Sequence, residues 1–308
     1  MQTCCTIITK SHLPYAKVLY QSLQVTLPGM PLQVLVIDEK QGWKDDNFIV
    51  RGSDELRSYF LFDQIEKKYA YTNTDLFRWA LKPIFISYLL ENGFEQVVYA
   101  DPDLFFVNDF SLLFKELETS GVLLCPHWRD TDPLQYEENF FALFKDGLFN
   151  AGLIGFSSNG LAAVKWWASQ CHYKMEKRKE FGLYDDQRYL DALPVIFDNV
   201  KILRHRGYNI ACWNYNECKR SKQGAKILIN GEFPLVCIHF TKETIREIKT
   251  GKDGLLSGYL DDYKMHLKNT GVENINGDID LSTLNYYKNK IRLRTRLKSW
   301  LYRLAGKL

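Results

Sequence analysis

The chain has 308 residues, 46% of them hydrophobic and 25% charged, the balance of a folded globular protein rather than a disordered one. Its net charge of +3 is uneven: residues 288–308 carry eight basic and no acidic side chains, which leaves the remainder at −5. Seven cysteines show no CxxC spacing and lie mostly in apolar runs, which argues against a disulfide framework or a zinc site and for a reducing compartment.

In chain order, the β-rich run at 4–10 reads as a first strand, and residues 14–27, with Pro14 in the first turn, read as a helix. A second strand is expected at 32–38, ending on Asp38. Helical periodicity follows at 54–68 and again at 74–91, where Asn73 or Thr74 is placed to cap the start. Residues 96–101 (QVVYAD) read as a buried strand, as do 121–126; further strands are expected at 152–156, 200–203 and 234–239. Alternating strands and helices predict an α/β fold on a parallel, doubly wound sheet, whose ligands bind beyond the carboxyl ends of the strands. No run of eighteen residues is free of charge and the first twelve lack a basic leader, so neither a membrane span nor a signal peptide is expected.

The strongest chemical signal is Asp101-Pro102-Asp103 at the end of QVVYAD. Residues i and i+2 of an extended segment point the same way, so both carboxylates can converge on one hard divalent cation. Such an ion neutralises a diphosphate leaving group. A solvated Asp-Pro turn is the bland alternative. Phosphatases that form an aspartyl-phosphate place a comparable pair on the first strand, followed by Thr or Val. Here it follows the third expected strand, and Leu104-Phe105-Phe106 comes next.

Residues 80–109, with FNAGLIGF (149–156), YDDQRYLDALP (184–194), GYNIACWNYNE (207–217) and PLVCIHF (234–240), resemble the core of bacterial GT-A-fold glycosyltransferases, the glycogenin and lipopolysaccharide galactosyltransferase group. The resemblance covers most of residues 3–240. It implies a Rossmann-like mixed sheet flanked by helices, and transfer of a sugar from a nucleotide diphosphate, UDP being the commonest in the group. It also implies retention of anomeric configuration. Asp101 and Asp103 match its metal-binding pair, and His239 matches a third ligand from a late strand. Imidazole favours Mn²⁺ over Mg²⁺. Asn150, Ala151 and Gly152 match a turn lining the sugar pocket, and Asp186-Gln187 match a pair near the anomeric carbon. Lys82 matches a basic residue near the donor phosphates or the metal pair; Asp75 and Arg78 can share its helix face. Thr6 and Ile8 near the end of the first strand are expected to meet the nucleotide, and Asp38 its base or ribose. Where the group usually has glycine after the histidine, Thr241-Lys242 stands here, with Lys242 able to supply charge to the phosphates. Trp213 with its neighbours, and His127 with Trp128, are candidates to border the acceptor.

On this reading residues 1–105 form the donor-binding half, 106–250 the acceptor-binding half, and 251–308 a C-terminal extension. Its end, 286–308, has apolar residues at 293, 297, 300, 301, 304 and 308, a helical stripe with most basic residues off it. A basic amphipathic helix of this kind suits an anionic membrane, so peripheral placement on the inner face of a bacterial inner membrane is expected, with a glycan or lipid-linked acceptor for surface polysaccharide and no nucleic acid. The alternative is a catalytically inactive nucleotide-sugar-binding module. A sugar nucleotidyltransferase is disfavoured, because TKSHLPY after the first strand has no glycine-rich loop.

Overall fold

A computed structural model describes residues 1–178 and 182–271. The expected basic amphipathic helix at 286–308 lies outside them. Among the described residues no helix is long and apolar enough to cross a membrane.

The chain opens with β1 (Gln2–Ile8), α1 (Leu13–Thr26), β2 (Leu32–Val36) and β3 (Ile49–Gly52). Then come the short α2 (Phe62–Ile65), α3 (Thr74–Glu91), β4 (Gln96–Ala100), β5 (Leu104–Phe106), α4 (Leu112–Leu117) and β6 (Val122–Pro126). Next are α5 (Pro133–Lys145), β7 (Phe149–Ser157), α6 (Leu161–Tyr173), α7 (Leu193–Ile196) and β8 (Val200–Ile202). The small strands β9 (Arg220–Gln223), β10 (Lys226–Ile229), β11 (Phe233–Pro234) and β12 (Cys237–His239) precede α8 (Lys242–Lys249) and α9 (Ser257–Asn269).

The main sheet has the order β3-β2-β1-β4-β7-β6-β8. β1, β2, β3 and β4 are parallel, as alternation of strands and helices predicts, but β7 runs antiparallel to both β4 and β6. The sheet is therefore mixed, as the resemblance to the GT-A group implies, and not the parallel sheet that alternation alone points to. Periodicity along one strand reports which residues are buried and carries no information on direction, and β7, like a parallel strand, is buried along its whole length.

Alternation along β1 and β4 splits the core in two. Cys5, Ile7, Val97 and Tyr99 pack against α3 and α6 on one face, while Cys4, Ile8, Val98 and Ala100 pack with α1 and α4 on the other. A third cluster joins Phe105 of β5 and Ile238 of β12 to α8 and α9. The second expected helix, 54–68, is broken instead: Leu61 takes φ +63° between a 3₁₀ turn at Ser53–Leu56 and α2. Arg57 bridges Asp54 and Glu66 across that break, so the amphipathic pattern is satisfied without a continuous helix. All seven cysteines are free, and all but Cys212 are buried.

Candidate functional site

The site lies where β4 ends. Tyr99 belongs to the face covered by α3, and Asp101, two residues on, continues to that side; the Tyr99 hydroxyl donates to Asp101 Oδ1 at 2.8 Å. The turn through Pro102 and Asp103 leads directly into β5, which pairs antiparallel with β12 in the register Leu104↔His239. That pairing sets His239 Nε2 3.0 Å from Asp103 Oδ1 and 3.9 Å from Asp101 Oδ2. On the other side of the ring, Nδ1–H donates to Asn209 Oδ1 at 2.9 Å, which aims Nε2 at the carboxylates. Burial disfavours charge on both His239 and Asp103, yet their mutual attraction prevails, raising the histidine pKa and lowering that of the carboxyl.

Ligand atoms of Asp101, Asp103 and His239 lie within 4.8 Å of one another. Two hard carboxylates and one imidazole fit a divalent cation of the Mn²⁺ or Mg²⁺ type. Gly152 keeps the space between them clear: a Cβ there would stand 2.5 Å from Asp101 Oδ2, 2.7 Å from Asn150 Oδ1 and 2.8 Å from His239 Cε1.

Lys82 is 3% exposed, not the snorkelling surface lysine its residue type would suggest. Its Nζ sits 3.4 Å from Asp101 Oδ1 and 3.3 Å from Asp186 Oδ2, and donates to the Ala151 carbonyl at 3.2 Å. The Tyr99 ring lies beneath it, its centroid 4.8 Å away. Burial works against the ammonium, but the two carboxylates outweigh it and raise the pKa above the ordinary lysine value. Burial raises Asp186, and Lys82 opposes that rise. Trp167, fully buried in α6, donates its indole N–H to the Asp186 carbonyl at 2.8 Å and so ties the 184–187 turn to the core.

A chain of amides completes the wall. His127 is buried, with Nδ1 2.9 Å from the Gly147 carbonyl and Nε2 3.1 Å from Asn150 Nδ2. The carbonyl can only accept, so Nδ1 carries the proton and Nε2 accepts from Asn150. Burial pushes the His127 pKa down to about 3, which keeps the ring neutral in that role. Asn150 Oδ1 in turn accepts from the Gly152 amide at 2.8 Å, and Gln187 Oε1 accepts from the Ala151 amide at 3.3 Å.

These groups surround a cavity of about 530 Å³, which His127 and Trp128 do not themselves line. It brings together Lys82, Asp101, Asp103, Asn150, Ala151, Gly152, Asp186, Gln187, His239 and Lys242, with Asp75 and Arg78 on the same helix face and Trp213 opposite. Thr6, Ile8 and Asp38 do not line it. Thr6 and Ile8 are fully buried inside β1, and Asp38 is exposed and accepts from the Lys10 amide at 2.7 Å. Sequence reasoning passed over His12, Trp79, Lys177, Tyr184 and Asp185, which also line the cavity, and Asn209 behind His239. His12 was findable, since it closes the turn after β1, at the strand end where ligands gather. Nothing local marks Lys177 or Asn209. Of the aromatic stretch, Tyr208 and Asn214 are buried, and Tyr215 lies outside this cavity.

No protein-family model matches the chain. Two uncharacterized proteins of Bacillus subtilis (strain 168) are similar to it in sequence: YfnF, 28% identical over 259 residues (80% of this chain and 84% of that protein), and YfnD, 26% identical over 253 residues (78% and 77%). Among solved structures, the galactosyltransferase LgtC, in complex with donor and acceptor sugar analogs, superposes with a TM-score of 0.52 over 89% of this chain and 97% of that chain, at 13% identity. The chain has a GT-A-type fold. In this GT-A-type fold the Asp101–Asp103 turn, His239 and Asn150–Gly152 come together, and α3 supplies Lys82; Asn150–Gly152 is the start of β7 and not the turn expected from the sequence.

Proposed function

We propose that the chain is a metal-dependent glycosyltransferase that moves a sugar from a nucleotide diphosphate, UDP first among the candidates, to a glycan or lipid-linked acceptor in bacterial surface polysaccharide synthesis, with retention of configuration. The observation that carries this reading is the convergence of Asp101, Asp103 and His239 on one point, with Lys82 and Asp186 packed behind it in the same cavity. A divalent cation held by the three ligands, Mn²⁺ before Mg²⁺, would neutralise the charge that builds on the departing diphosphate.

The chain's own residues do the rest. Lys82 keeps Asp101 and Asp186 compensated in a buried setting, so that neither carboxylate is stranded when water leaves. Asn150 and Gln187 present amide groups of fixed orientation to sugar hydroxyls, and Gly152 admits the ligand close to the backbone. Asp186 is assigned to the sugar, where a carboxylate accepts from hydroxyls and stabilises positive charge at the anomeric carbon. If the reaction inverts, Asp186 is the first candidate for the general base towards the acceptor hydroxyl. Lys242, at the start of α8, lines the same cavity as His239, and its ammonium suits phosphate oxygens. Residues 1–105 are assigned to the donor, and 106–250 to the acceptor together with the donor contacts at Asn150, Asp186, Gln187, His239 and Lys242. The basic stretch 286–308 is assigned to the anionic inner face of the membrane, on its charge alone.

Thermal-shift titrations with a panel of nucleotide sugars, with and without MnCl₂, test the donor site. One nucleotide sugar is expected to raise Tm only with the metal, and the rise is expected to vanish in Asp103→Ala. Absence of any shift in the wild type with metal present sinks the assignment.

A further inference from the structure

A second cleft, of about 1040 Å³, is larger than the first. The two are linked through one short segment, since Trp213 lines the first cavity and Tyr215, two residues on, lines the second. The remaining sides come from the loop before α5, from the start of α5 itself, from β9 and from the turn at residues 252–255.

The lining is polar and balanced in charge. Asp130, Asp132, Glu217 and Asp253 face Lys219, Arg220 and Lys252. Most of these charges are already satisfied within the protein. Arg220 and Asp253, 2% and 3% exposed, pair at 3.1 Å, and the guanidinium also donates to the carbonyls of Ala211, Asn214 and Cys218. Lys252 binds Glu247, and Glu217 accepts from the Thr131 amide and hydroxyl. A cleft with its charges paired off favours neither a polyanion nor a polycation. What it offers is carboxylate and amide acceptors held in place, together with two aromatic rings. Tyr136 is 46% exposed, and Tyr215 is backed by Arg220 and Lys252 at 5.3 and 5.4 Å from its centroid. Among the described residues its lining has a single aliphatic side chain, Leu255, too little for the apolar pockets that anchor a peptide. Fixed acceptors for hydroxyls and aromatic faces for C–H surfaces match a neutral, hydroxyl-rich chain.

We propose that the second cleft is a glycan subsite that holds the acceptor beyond the unit that receives the sugar, so that the acceptor is an oligosaccharide and not a monosaccharide. The acceptor role rests on the transferase reading above; binding of a glycan does not. The test is an array of neutral oligosaccharides from two to six units, probed with the full chain as wild type, Tyr136→Ala and Tyr136→Phe. Tyr136 is nearly half exposed and lies outside the hydrophobic core, so both variants are expected to fold, and equal melting temperatures verify this. Wild type is expected to retain oligosaccharides of three or more units above mono- and disaccharides, Tyr136→Ala to lose at least tenfold, and Tyr136→Phe to keep most of the binding. All three proteins are expected to give the same thermal shift with nucleotide sugar and Mn²⁺. A wild type that retains no glycan, or a Tyr136→Ala variant that binds as well as wild type, overturns the subsite. Failure of the donor reading shows separately, as a missing thermal shift in the wild type, and removes the acceptor role.

Discussion

Gly152 shows how much one missing methyl group decides. It lies where three functional groups approach to within 3 Å of an added Cβ, so Gly152→Ala must push Asp101, Asn150 or His239 out of place. We expect this variant to stay folded and to lose the Mn²⁺-dependent thermal shift at least tenfold in apparent affinity; a shift equal to that of wild type would falsify the placement of the cation. His127 gives a second residue-scale prediction. Its pKa is about 3 in the folded chain and about 6.5 when unfolded, so the unfolded state binds the proton first as pH falls. The stability it contributes is present above the unfolded value and is lost between about pH 6.5 and 3, at up to about 1.4 kcal/mol per pH unit. Urea melts at pH 7.0 and 5.5 are expected to show this loss, and His127→Asn to show a smaller difference between the two. The DxD pair was legible from its spacing and residue types, whereas His239 was singled out by the family resemblance alone. Asn209 was not legible, since an asparagine comes to orient this imidazole only by facing a histidine thirty positions away.

At the scale of elements, α3 carries Asp75, Arg78 and Lys82 to the cavity, and its start is fixed by Asn73. The Asn73 side-chain oxygen accepts from the amides of Asp75 and Leu76 at 3.0 and 3.1 Å. Asn73→Ala is expected to cost about 1 kcal/mol of stability, read as a lower urea midpoint with unchanged slope. Donor affinity is expected to fall less than tenfold, because Lys82 lies two turns deeper and its own ion pairs hold it. A larger loss in binding than in stability would mean that the first turn itself touches the ligand. The bounds of this helix, 74–91, match those read from periodicity and capping, since both signals are local. The interrupted segment at 54–68 was misread for the same reason in reverse. Its apolar spacing is helical, and the left-handed Leu61 that breaks it depends on packing against α3 and on ion pairs across the break. The short strands β3, β5, β9, β10 and β11 were missed because two to four residues carry little periodicity. In contrast β8 and β12, equally short, lie in the apolar runs VKIL and PLVCIH that mark them.

For the whole molecule, the charge asymmetry makes its own prediction. The full chain is expected to sediment with vesicles containing phosphatidylglycerol and to be released by high salt, whereas a variant lacking residues 286–308 is expected to remain in the supernatant. Sedimentation of that variant to the same extent as the full chain would refute the assignment of the tail. Composition and period by themselves determined an α/β protein with strands at β1, β2, β4, β6, β7, β8 and β12, cysteines without a paired framework, and a carboxylate pair at a strand end. Those properties are local: each follows from residues within a few positions of one another. Only the tertiary structure decided that β7 runs against its neighbours, that β12 lays His239 beside Asp103, and that Lys82 is buried between Asp101 and Asp186. Each of these joins residues tens of positions apart. Strand pairing and desolvation act on whatever the folded chain brings together, and neither leaves a mark on the intervening sequence.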